Sequence, residues 1–263
     1  RDPALAAEHL ERAEDPAAAA AYLQAAQAQA RRYHHDQALA LIARGLPLAQ
    51  EGRDRHQLLA ARGQALLDAT RAEEAIVAWR EALATAPDVR ARCRSHIGIA
   101  AGLRLLDRTT EGLEALAQAE PWAQEPAMAL ECSRLQHLRG NLCFALGRID
   151  DCLRAHDAAL AAAITARSDE AQAQALGGLG DALYLRGRLR SAHQQFGRCV
   201  ALAHQGGFGR IEVANLHMVG WTAHALCRFD EALDTATRCL ELAREVAHRR
   251  VEMISLALAG YVG

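Results

Sequence analysis

The stretch Leu138-Arg-Gly140-Asn-Leu-Cys-Phe-Ala-Leu-Gly147-Arg-Ile149 is followed 40 positions later by Gly178-Leu-Gly180-Asp-Ala-Leu-Tyr-Leu-Arg-Gly187-Arg-Leu189. The two align without gaps. A third copy, Met218-Val-Gly220-Trp-Thr-Ala-His-Ala-Leu-Cys227-Arg-Phe229, comes after another 40. Working outward, a small residue recurs at Ala100, Gly140, Gly180, Gly220 and Gly260, and upstream at Gly63 and Ala26 with a step of 37. A period of this length marks an array in which each unit leans on its neighbours to bury its apolar face.

Two further columns of small residues keep the same step. Twelve positions after each marker stand Ala38, Ala75, Gly112, Cys152, Ala192 and Ala232. A larger side chain comes four later, as Ile42, Trp79, Leu116, His156, Phe196 and Ala236. Three beyond that are Gly45, Ala82, Ala119, Ala159, Cys199 and Cys239. Small residues at helical spacing let helices approach closely, so each period predicts a helix A carrying the first marker and a helix B carrying the others. This spacing resembles the tetratricopeptide repeat over roughly residues 17–263. The resemblance implies an all-α, right-handed α-solenoid of about six helix pairs plus terminal helices, forming one domain over residues 1–263. Repeats of 37–40 residues exceed the family's usual ~34. The family's closing Pro survives only as Pro87, and its early helix-A Trp is absent.

Composition agrees. Val, Ile and Thr total only 24 residues, eight of each, while good helix formers dominate. All 30 basic residues are Arg. Without Lys there is no P-loop, kinase strand Lys or Schiff-base Lys. A net charge of −2 with interleaved signs disfavours direct nucleic-acid binding, and no run of ~18 apolar residues predicts a membrane span. Seven Cys without a CxxC pair or metal-ligand spacing are expected to be reduced, packed thiols of a cytoplasmic protein, with no cofactor. The start at Arg1 without Met and the end at Gly263 inside a helical pattern suggest a piece of a longer protein.

Local signals mark the joints. Asp15-Pro16 is expected to cap a helix, and Pro87-Asp88 to end one and start the next. Gly147 and Gly187 suit left-handed turns between A and B helices. Pro121 and Pro126 are expected to bracket an irregular loop containing Trp122, and Gly206-Gly207-Phe208-Gly209 to form another joint. Glu73-Glu74 and Asp150-Asp151 fall at B-helix starts, where negative charge suits the helix dipole. His34-His35 is expected in a solvated turn.

In solenoids of this type helix A lines the concave face, so the candidate site follows from positions around each marker. Those positions give His137, Asn141 and Phe144; Asp181 and Tyr184; and His217, Trp221 and His224, joined by Tyr261. Arg94, Arg104 and Arg134 lie on the same set of helices. Aromatic and hydrogen-bonding groups in one cleft suit a peptide or small ligand, whereas rings alone could simply fill helix seams. His217 and His224 lack a third ligand for a metal. Gly178-Leu-Gly180 lacks a dinucleotide fingerprint's third Gly, because Leu183 stands there. None of the five Ser lies in GxSxG. No enzyme is expected.

A second resemblance lies in Asp2-Pro-Ala-Leu-Ala-Ala-Glu-His9-Leu-Glu-Arg-Ala-Glu-Asp-Pro16 with Ala38-Leu-Ala-Leu-Ile-Ala-Arg-Gly45-Leu. These stretches resemble the segment after the ATPase of large bacterial signalling proteins, the MalT/LuxR-type activators and ATPase-linked adenylate cyclases. The resemblance implies a non-catalytic regulatory module that binds a protein, a peptide or a small inducer, with ATPase and output domains elsewhere in the chain. A plain protein–protein scaffold is the alternative.

Overall fold

Asp2 opens the first helix by accepting the Ala4 N–H at 2.9 Å, and Pro3 takes the first helical position, where no N–H is needed. The computed structural model describes residues 2–50, 52–245 and 249–262, so Arg1 and Gly263 lie outside the described residues. Fourteen α-helices run through them and no strand. They are α1 Pro3–Arg12, α2 Ala18–Arg31, α3 His35–Gly45, α4 Arg53–Asp68, α5 Ala72–Ala84, α6 Val89–Leu105 and α7 Thr109–Ala123. Then follow α8 Ala129–Ala145, α9 Ile149–Thr165, α10 Asp169–Leu185, α11 Leu189–Gly206, α12 Gly209–Ala225, α13 Phe229–Glu245 and α14 Arg249–Val262. The A/B pairs α2–α3 through α12–α13 number six, as the period predicts, with α1 before and α14 after. Two compact units divide the chain, residues 1–131 and 132–263.

Every A–B joint has one geometry. Helix A ends on a left-handed residue: Tyr33, Thr70, Asp107, Gly147, Gly187 and Cys227 have φ between 56° and 70°. The next residue returns its N–H to helix A, as in Arg71 to Leu66 O and Arg148 to Cys143 O, both 2.9 Å. Such a turn satisfies carbonyls that a helix end leaves bare. Gly147 and Gly187 do this as expected; at the other four positions a non-Gly residue takes the strained conformation. Position two of the joint is Arg in five of the six, and Arg71, Arg108, Arg148 and Arg228 reach an acid three residues on. The arginines of these pairs are exposed, so the pairs add little stability, but they link each joint to the start of helix B.

Three joints differ from expectation. Asp15 accepts the Ala17 N–H at 2.8 Å, but Pro16 lies in a turn and α2 starts only at Ala18. Pro121 and Trp122 are helical, inside α7, so the irregular stretch shrinks to residues 124–128. Pro interrupts one hydrogen bond of the last helical turn, and the Trp122 ring packs 5.9 Å from His96. His34 is exposed, yet both ring nitrogens of His35 are shut from water against the Tyr33 ring. Asp88 caps α6 as read, accepting the Ala91 N–H at 2.8 Å, and Gly207 ends α11 at φ 69°.

Packing explains the columns. The small residues of all three are buried, except Gly260. The larger B-helix residue fills a slot against the glycines of A helices. A Cβ on Gly63 would stand 2.7 Å from Trp79 Nε1, one on Gly140 2.5 Å from His156 Nε2, and one on Gly180 2.5 Å from Phe196 Cε1. Trp79 is also met from the next repeat by Gly98, and His156 by Gly178. Five Cys are buried in this core, Cys132 is half-buried and Cys227 is exposed at its turn. Burial pushes the Cys152 and Cys199 thiols up to about 12, which leaves them unreactive.

Candidate binding face

The candidate residues of the second unit sit on three A helices at matched register. His137, Asn141 and Phe144 lie on α8, Asp181 and Tyr184 on α10, and His217, Trp221 and His224 on α12. Forty-residue spacing repeats the same helical phase, so Asn141, Asp181 and Trp221 hold one level and Phe144, Tyr184 and His224 the next. All are half-buried except Phe144, which is 38% exposed. Half-burial is what a face that is reached by solvent but walled by neighbouring helices produces.

Some of these groups engage each other. Asn141 Nδ2 lies 3.1 Å from His137 Nε2, and the His137 ring packs 5.2 Å from His156. Trp221 gathers an aromatic group, with His224 at 6.0 Å and Tyr261 of α14 at 5.8 Å; His224 in turn meets Phe229 at 5.6 Å. Asp181 and Tyr184 have no hydrogen bond or ion pair among the described residues. Burial without a compensating cation pushes the Asp181 carboxyl up to about 6.

The arginines separate by role. Arg94 Nε donates to the fully buried Glu131 at 2.9 Å, beside Arg90 at 3.3 Å, so Arg94 serves the interior charge of the first unit. Arg104, on α6, is exposed and carries no ion pair among the described residues, and Arg134 is exposed on α8.

Two features escaped the sequence. Asn215 stands five before its marker, in a column otherwise holding Ala21, Leu58, Ser95, Leu135, Ala175 and Ser255. Its Nδ2 donates to Ile211 O at 2.8 Å, and its Oδ1 occupies the place a side chain on Gly177 would take. An Asn in a column of small and apolar residues was the available signal. The second is a nucleophile–base–acid order: Thr222 Oγ1 lies 2.9 Å from His193 Nδ1, and His193 Nε2 lies 3.2 Å from Glu231 Oε1. The Thr222 hydroxyl is fully buried and donates back to its own helix at Met218 O, 2.7 Å away. A substrate has no approach to it, so the trio serves to tie α11, α12 and α13 together.

Residues 131–205 match the family model of the tetratricopeptide repeat. No curated protein matches the chain in sequence. Solved structures share its fold. A Rap protein complexed with competence and sporulation factor aligns at TM-score 0.70 and 14% identity, over 94% of this chain and 85% of that one. A signal-transduction ATPase with numerous domains and a tetratricopeptide repeat sensor, from Pyrococcus horikoshii, aligns at 0.64 and 12% identity, over 92% of this chain and 38% of that one. A chain of the APC/C hetero-tetramer Cut9–Hcn1 aligns at 0.71 and 12% identity, over all of this chain and 46% of that one. At these identities the likeness shows the fold alone.

Proposed function

We propose that this tetratricopeptide-repeat solenoid is a non-catalytic regulatory module whose second unit takes an extended peptide or protein segment on the face of α8, α10 and α12. One observation carries the reading. Asp181 and Trp221 hold one level and Tyr184 the next, all half-buried, and their polar groups are engaged by no other described residue. The rings that fill seams in this fold, such as Trp79 and Phe196, are buried instead. Large amphipathic rings and a free carboxylate beside them are the anchors a partner uses. The fold likeness to a Rap protein complexed with a factor, and to an ATPase with a repeat sensor, supports a sensing role. Such a sensor acts only if its partner prefers one arrangement of the helices over another, because differential affinity alone shifts an equilibrium.

The test is a selection of displayed random heptapeptides on the whole chain. Recovered peptides are expected to lose at least about tenfold in affinity on Trp221→Ala and on Tyr184→Ala, the loss typical of a central anchor. Peptides that bind both variants as well as the parent would place the working surface elsewhere. A second reading is a scaffold without switching, docking a partner or another copy through α14. It rests on the outward Met253 (68% exposed), Leu256 (50%) and Tyr261 (73%). Sedimentation of the parent and of Met253→Glu separates it, since self-association would vanish in the variant.

A further inference from the structure

We infer that this face is built to receive a cationic side chain, the guanidinium of Arg or the ammonium of Lys in the bound segment, on Asp181 with Asn215 as second acceptor. The inference rests on the peptide-binding reading above and names the chemistry that reading leaves open.

The charge bookkeeping of the chain points there. Glu11, Glu131, Asp151, Glu212, Glu231 and Glu252 are buried or half-buried, and each faces an Arg or a His of this chain. Asp181 is likewise half-buried, yet no cation and no hydrogen-bond donor meets it among the described residues. A desolvated carboxylate left without a partner costs stability, so the missing cation is expected from outside. Asp181 is also the one carboxylate among the candidate residues of α8, α10 and α12.

Asn215 is an independent second acceptor. Its Nδ2 is spent on Ile211 O, which leaves Oδ1 as the free end, placed over Gly177. Gly177 and Asp181 are four apart on α10, hence stacked on one face. His occupies the equivalent column on α8 and α12, at His137 and His217; Gly on α10 leaves that place to the Asn215 oxygen. Two acceptors one helical turn apart match a group carrying several N–H donors. Tyr184 and Trp221, at adjacent register, supply ring faces of the kind cations prefer.

The experiment is the same heptapeptide selection run on the parent, Asp181→Asn and Trp221→Ala, with helicity of each variant checked by circular dichroism. Peptides recovered by the parent and lost by Trp221→Ala are expected to carry Arg or Lys at a common position. Replacing that Arg by citrulline should weaken binding to the parent about tenfold to a hundredfold, and Asp181→Asn should erase the difference. If Trp221-dependent peptides show no cation preference, or Asp181→Asn keeps it, the cation site is wrong while the binding face stands. If no recovered peptide depends on Trp221, both fail together.

Discussion

At Asp181 and His156 the chain holds two ionisable groups whose surroundings oppose their charge, and the two fail at opposite ends of the pH scale. Asp181 has its carboxyl pushed up to about 6 by burial. The unfolded chain ionises first, so the folded state is penalised progressively as pH rises above the ordinary Asp value and fully above about 6. Asp181→Asn is therefore expected to stabilise the protein by about 1–3 kcal/mol at pH 7.5 and by almost nothing below pH ~4, read from urea midpoints. An equal gain at both pH values would mean the carboxyl is already compensated. Such a gain is the trade expected if Asp181 serves the binding proposed above. His156, sealed between Gly140 and Gly178, is held down to about 4 by burial. Here the unfolded chain takes up its proton near 6.5, so stability is intact above that value and falls as pH drops toward about 4, by about 3 kcal/mol in full. Phe196 fills the corresponding slot against Gly180 one repeat later. His156→Phe should flatten the acid side of the stability profile; an unchanged slope would assign it to other groups.

Within a helix, glycine means opposite things depending on what faces it. Gly98 lies in the middle of α6 against the Trp79 ring, with no room for a methyl group. Gly98→Ala gains the usual ~1 kcal/mol of helix propensity but forces the indole out of its slot, for a net loss of about 1–3 kcal/mol. Gly197 lies inside α11 with nothing within 4 Å of where its Cβ would be. Gly197→Ala should stabilise by about 0.5–1 kcal/mol. Thermal melts of the two single variants decide the matter: shifts of the same sign would refute the Trp79 slot as the reason for glycine at position 98.

Among the described residues, the substantial helix contacts join neighbours and next-but-one helices in sequence. A chain wired that way loses stability locally, since each repeat reports mainly to those beside it. Gly98→Ala is accordingly expected to speed amide hydrogen exchange in α4 to α7 while α10 to α13 keep their protection. Uniform loss throughout the chain would show a cooperativity that short-range contacts do not supply.

The periodic part of this architecture was legible in residues alone. The markers from Ala26 to Gly220, their partner columns and the turns at Gly147 and Gly187 specify close approach between helices that are adjacent in sequence, and local spacing suffices for that. The register of Asn141, Asp181 and Trp221 followed from the same period. Tertiary structure decided the rest, because it turns on residues brought together from different repeats. No spacing rule says that Arg94 is spent on Glu131, that Asn215 covers Gly177, or that Thr222 is sealed against His193. Nor does sequence show that Trp122 stays helical past Pro121, or that Thr70 and Cys227 adopt a glycine's backbone, since packing there overrides local preference. Whether a carboxylate has a partner is a property of its surroundings, so Asp181 could be named from the sequence but its solitude could be seen only in the fold.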